Sequence, residues 1–149
     1  MSALLDKLKE LDIAALLPDM STFLGQVTFW LRLMLLIGPL VMVGIGLCHF
    51  FFPPEEANHA IGFRTRRSMS SLEAWRYAQR LSGFVYMVLG GTLFLIMLII
   101  SLFFGQLQMV TMVVTALVCV IVECVLALGA FILVECLLWK FFDKDGYRK

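Results

Sequence analysis

An all-α integral membrane fold, three transmembrane helices preceded by an amphipathic N-terminal helix, is predicted by three observations on the 149-residue chain. Hydrophobic residues make up 61% and charged residues 15%, with a mean hydropathy of +0.93. Soluble domains carry about 45–50% apolar and about 25% charged residues, and a core of this size cannot hide the excess. The charges are also segregated, leaving long runs in which they are almost absent. Finally, the apolar runs reach the ~20 residues that a hydrocarbon core requires.

Residues 1–19 place Leu4, Leu5, Leu8, Leu11 and Leu16 near helical spacing, with Asp6, Lys7, Lys9, Glu10 and Asp12 between them. That pattern predicts an amphipathic segment lying in the membrane interface or docked on the protein. Pro18-Asp19 breaks it, and Ser21 can cap the next helix. A membrane domain over 20–142 follows, with spans over about 23–52, 81–104 and 109–139, a loop over 53–80 and a polar tail over 143–149.

The first span has Trp30 and Arg32 at one end and stops at Pro53-Pro54 at the other. Gly38-Pro39 is expected to kink it or loosen its hydrogen-bond ladder. Gly44 and Gly46 would let a neighbouring helix approach closely. In the second span Gly83, Tyr86 and Gly90 share one face for helix packing. Gly105-Gln106-Leu107-Gln108 reads as a tight turn, and the third span closes on Trp139-Lys140, an interfacial signature.

Five Lys and Arg lie in the loop and four in the segment from Lys140, whereas the turn after the second span has none. The positive-inside rule then puts loop and C-terminus in the cytoplasm and the N-terminus outside. No cleavable signal peptide is expected, because the first hydrophobic run is too long and lacks a small-residue cleavage site.

The loop concentrates the polar chemistry. Gly62 suits a turn, and Arg64, Arg66 and Arg67 carry guanidinium forks that match phosphate or carboxylate. Ser70 and Glu73 are spaced as a capping box, so a helix should start near Ser71, set Trp75 at the water–lipid boundary and continue into the second span. Two readings stay open: a basic anchor touching lipid phosphates, or a recognition surface, with Glu55 and Glu56 nearby, for a headgroup, peptide or partner protein.

Glu123 lies mid-span, where an ionisable group costs roughly 2.5–3.5 kcal/mol, so it should face other helices or water. Ala116, Cys119, Ala127 and Ala130 flank it at helical spacing, a stripe of small residues suited to close helix contact. Either an interhelical hydrogen bond or a proton- or ligand-linked role fits such an acid. Glu135 reads as an interfacial ion-pair partner for a loop arginine, and His49 as an ordinary interfacial histidine. Cys48, Cys119, Cys124 and Cys136 sit in apolar runs with no C-x-x-C pair, which argues for buried thiols rather than a disulfide or zinc site.

Asn58-x-x-x-Gly62-Phe63-Arg64-Thr65-x-x-Ser68, then Glu73-Ala74-Trp75-Arg76-x-Ala78-Gln79-Arg80 and Gly83 opening a span, resembles the signature of the SdpI-like family of small bacterial multi-span membrane proteins. The resemblance implies a plasma-membrane protein of toxin-immunity type, protecting against a secreted membrane-active peptide, with signalling by sequestration of a partner. Asn58, Gly62, Arg64, Thr65, Arg66, Arg67, Ser68 and Trp75 are then the candidate partner- or headgroup-binding residues, and Glu123 and Glu135 the intramembrane acids. The expected partners are the bilayer, a peptide toxin or membrane protein, and further copies of the chain. A small oligomeric proton-coupled transporter and an accessory subunit of a larger complex are the alternatives. No catalytic constellation, metal-ligand cluster, P-loop or dinucleotide fingerprint is visible, so neither an enzyme nor a cofactor is expected. Nucleic-acid binding is not expected of so short a basic cluster beside a membrane.

Overall fold

The computed structural model describes residues 20–55, 57 and 62–149, with side chains from Thr22 onward. The amphipathic reading of residues 1–19, and Glu56 and Asn58 of the loop, lie outside the described residues. Among the described residues three long helices make up the fold: α1, Met20–Phe51; α2, Leu72–Leu102; and α3, Met109–Phe141. Each is long and apolar enough to cross a membrane. At about 1.5 Å per residue each extends about 46–50 Å, more than the ~30 Å hydrocarbon thickness, so the ends protrude or the helices tilt.

The chain runs up, down and up. A 3-10 turn, Phe103–Gln106, joins α2 to α3 at the end where α1 begins. The loop after α1 and the C-terminal tail share the opposite end, where Ser71 Oγ donates to the Gly146 carbonyl at 2.6 Å. Among the described residues there is no strand, only an isolated antiparallel bridge between Phe142 and Arg148.

Helices α1 and α2 meet backbone to backbone. A Cβ built on Gly46 would lie 2.5 Å from the Met87 nitrogen, and one on Gly83 2.6 Å from the Phe50 nitrogen. Gly90 is similarly pressed against Val43 and the Pro39 carbonyl. Glycine is required here because dispersion and close approach, rather than the hydrophobic effect, hold helices together in lipid. Gly44 does not share this role, since a Cβ there would meet nothing within 4 Å.

The interior forms two clusters. Leu35, Met42, Leu93, Met97, Phe104 and Met112 fill the end nearer the 3-10 turn. Phe63, Ala74, Ala78, Val134, Leu138 and Phe142 fill the loop end. The outer faces remain apolar: Leu40, Leu95 and Leu128 are 58%, 61% and 64% exposed, as lipid-facing side chains are.

Several local expectations need correction. Ser21 lies within helix α1, whose described range begins at Met20, rather than before it as a cap. Ser71, not Ser70, caps α2, accepting from the Ala74 nitrogen at 3.0 Å. Ser70 instead donates to the Arg67 carbonyl. Trp75 is fully buried rather than interfacial, because Nε1 donates to the Pro54 carbonyl at 2.9 Å and the ring packs under Gly62. Trp30 and Trp139 are the exposed tryptophans at opposite ends of the bundle. Of the four free cysteines only Cys119 is buried; Cys48, Cys124 and Cys136 lie on the outer, lipid-facing surface.

Candidate functional site: the motif loop and the cavity beneath it

The loop is held by a compact set of hydroxyl bonds. Ser68, completely buried, donates through Oγ to the Phe63 carbonyl at 2.8 Å and accepts from the Thr65 nitrogen at 2.8 Å. Thr65 Oγ1 returns the contact by accepting from the Ser68 nitrogen at 3.1 Å. These reciprocal bonds close the turn carrying Arg66 and Arg67, in the manner of short polar side chains that replace backbone partners. Ser and Thr at these two motif positions are therefore structural.

Gly62 and Gln79 anchor the loop on α2. Gly62 has φ +120°, a conformation that L side chains rarely adopt, and a Cβ there would also meet the Gln79 amide and the Trp75 ring within 2.9 Å. The fully buried Gln79 clasps one peptide unit's worth of polarity. Its Oε1 accepts from the Phe63 nitrogen at 2.8 Å and its Nε2 donates to the Phe63 carbonyl at 3.2 Å. Sequence reading quoted Gln79 within the family signature without counting it among the candidate site residues, and that place in the signature was its signal.

The polar contacts continue inward. Ser82 Oγ donates to the Gln79 carbonyl at 3.0 Å, which leaves its lone pairs for Nδ1–H of His49 at 3.2 Å. His49 is buried between α1 and α2, not interfacial as expected, because Ser82 supplies its partner across the helix contact. His49, Arg64, Tyr86, Phe63 and Phe131 line a cavity of about 430 Å³ beneath the loop. Ala127 also lines it and lies one helical turn from Glu123 on α3.

Glu123 faces the bundle, with only 6% of its surface exposed. Its Oε2 lies against the backbone of Gly38 in α1, 2.6 Å from where a Cβ would stand, and its buried Oε1 has no hydrogen-bond partner among the described residues. Among the described residues Glu123 makes the helix contact without a hydrogen bond. Ala116, Cys119 and Ala130 share the buried face as the spacing predicts.

The remaining candidates separate into another region. Arg66, Arg67, Glu135, Trp139 and Lys144 line a cavity of about 330 Å³ at the start of the tail. Arg67 Nη1 donates to the Phe142 carbonyl at 2.9 Å, and its guanidinium stacks 4.4 Å from the Trp139 ring centroid. Glu135 Oε1 accepts from Trp139 Nε1 at 3.1 Å, while the buried Oε2 has no partner among the described residues. Glu135 and the two arginines share this cavity, but the acid bonds to the indole and Arg67 to the tail.

These features define a helical membrane protein with three spans among the described residues, in which residues 62–64 of the loop after α1 cover an interhelical cavity. Residues 56–134 match the SdpI/YfhL protein family, and the chain belongs to that family. It is also similar to the uncharacterized protein YfhL of Bacillus subtilis (strain 168), at 38% identity over 76 residues covering 44% of this chain and 69% of the relative. No solved structure matches.

Proposed function

We propose that this chain is a non-enzymatic protection protein of a bacterial plasma membrane, which engages a secreted membrane-active peptide in the bilayer. The observation that carries this reading is the placement of Arg64, on a loop locked by Ser68 and Gln79, beside the cavity lined by His49 and Tyr86. A forked guanidinium beside an apolar, aromatic-walled cavity suits a peptide carboxylate or backbone carbonyl arriving from within the membrane. The immunity role itself is carried over from the resemblance to the SdpI-like family. Charge distribution supports a cytoplasmic loop and tail and an outside N-terminus, and signalling by holding a partner would use the same loop surface around Arg66.

The test is survival and membrane potential in bacteria producing wild type, Arg64→Ala or Glu123→Gln at matched levels, challenged with a panel of secreted membrane-active peptides. Protection by wild type and its loss in Arg64→Ala is the expected result. A wild type that protects against no peptide overturns the function; two variants that protect fully overturn the residue assignment.

A second reading rests on the unpartnered Glu123 Oε1 in the bundle interior, which suits an oligomeric proton-coupled transporter. It requires reconstituted vesicles to move protons or cations down a gradient, and Glu123→Gln to stop the movement.

A further inference from the structure

A different surface, between α2 and α3, has a composition that neither loop cavity shares. At the loop end of the bundle a recess of about 840 Å³ is lined by Arg76, Arg80 and Arg148, with Tyr77, Phe141 and Phe142 among its walls. Arg76 and Arg80 are one turn apart on α2 and share a face. Arg148 comes from the tail, which folds back because Gly146 adopts φ +83° and its carbonyl is held by Ser71. The Phe142–Arg148 bridge then brings a third guanidinium to the same recess.

Among the described residues the charge of the recess is only partly cancelled. Glu73 is its one carboxylate, leaving two positive charges in excess, and none of the three guanidinium groups is in an ion pair among the described residues. The neighbouring basic cavity differs, because Arg67 there is already committed to Phe142 and Trp139.

Below the arginines the surface turns apolar without interruption. Phe84 lines both the recess and a second groove of about 420 Å³ that runs between α2 and α3 along Val88, Leu126, Gly129 and Leu133. Arg80 is also the last charged residue before the charge-free stretch of α2, so the step from basic to apolar falls where headgroups give way to acyl chains. We propose that this groove binds one anionic glycerophospholipid, its phosphate held by Arg76, Arg80 and Arg148 and an acyl chain lying along the Phe84–Leu133 groove. A cationic membrane-active peptide would be repelled by the same three charges, and a free phosphate would leave the lower groove empty.

Native mass spectrometry of the full chain in detergent tests this, with phosphatidylglycerol, phosphatidylcholine of the same acyl chains, and inorganic phosphate as probes. One phosphatidylglycerol should be retained about tenfold more tightly than phosphatidylcholine. Each arginine contributes about fivefold, so Arg76→Gln/Arg80→Gln should remove the preference. Arg148→Gln lies outside the helices and should weaken binding about fivefold even if the double variant fails to fold. Gly129→Phe fills the lower groove, where a Cβ meets nothing within 4 Å, and should weaken retention of the long-chain lipid with the arginines intact. Equal retention of both lipids, undiminished retention of phosphatidylglycerol in Arg148→Gln or in Gly129→Phe, or displacement by equimolar inorganic phosphate would each overturn the proposal.

Discussion

The carboxylate of Glu123 in α3 rests on the bare backbone of Gly38 in α1, with Oε2 2.6 Å from the position a Cβ at Gly38 would occupy. An acid in mid-membrane is tolerated where it is enclosed by protein, and the missing side chain at residue 38 provides the enclosure. Gly38→Ala should therefore push the Glu123 carboxylate, the far end of a flexible side chain, out of this position at a cost of no more than about 1 kcal/mol. Combining it with Glu123→Ala, which vacates the contested space, should recover part of that loss. A double-mutant cycle on thermal unfolding in detergent measures the coupling; strict additivity would show that the two residues do not press on one another.

The α1–α2 contact offers a second prediction, because its clashes involve backbone atoms that no rotamer change can relieve. Gly46→Ala places a methyl 2.5 Å from the Met87 nitrogen, and Gly83→Ala does the same to Phe50, so the helices must separate. Gly44→Ala and Gly91→Ala, where nothing lies within 4 Å, are the matched controls. The first pair should lower the unfolding midpoint and the membrane level of the protein, while the controls leave both near wild type.

The three helices were legible because apolar runs of this length have one stable solution in a bilayer, and the glycines at residues 46, 83 and 90 fell on the faces that pack. The site was less legible, for reasons that differ by residue. Trp75 beside basic residues at a span end has the composition of an interfacial anchor; only the Pro54 carbonyl and the space left by Gly62, both distant in sequence, make it a core residue. Ser70 and Ser71 are equally good caps by composition, and the Gly146 carbonyl 75 positions away selects Ser71. His49 was misplaced because its partner, Ser82, lies on another helix. The tail's return was readable in part: Asp145-Gly146 is a hairpin turn pair, and Asp143 Oδ1 accepts from the nitrogens of Asp145 and Tyr147.

Gln79 supports the most direct test of how the loop is fixed. Both of its polar atoms are spent on Phe63 in a buried setting, so Gln79→Leu keeps the volume and strands an N–H. The Phe63 carbonyl retains Ser68 Oγ as a donor, which leaves the nitrogen as the main cost. A loss of about 1–3 kcal/mol is expected, with increased proteolysis confined to the loop. Gln79→Glu should be less damaging to the nitrogen, since a carboxylate oxygen still accepts from it. If Gln79→Leu matches wild type in both measurements, the amide clasp does not hold the loop.

Arg67 joins the loop to the end of α3, at Trp139, and to the start of the tail, at Phe142, through two contacts that demand a guanidinium. A lysine could reach one carbonyl, yet it cannot present a planar group to the Trp139 ring while a separate N–H holds Phe142. Arg67→Lys and Arg67→Met should therefore both loosen the tail, with helix content unchanged. The Asp143 nitrogen, bonded to the Tyr147 carbonyl, and the Lys149 nitrogen, bonded to that of Phe141, report directly on closure. Their hydrogen exchange should quicken by about thirtyfold or more, the scale set by one charge-assisted hydrogen bond and one cation–π contact. Exchange that stays slow in Arg67→Met would mean that Ser71 and the turn around Asp143 close the tail without the loop. In that case Arg67 would be released for recognition alongside Arg66, and its substitution should then change partner binding rather than tail order.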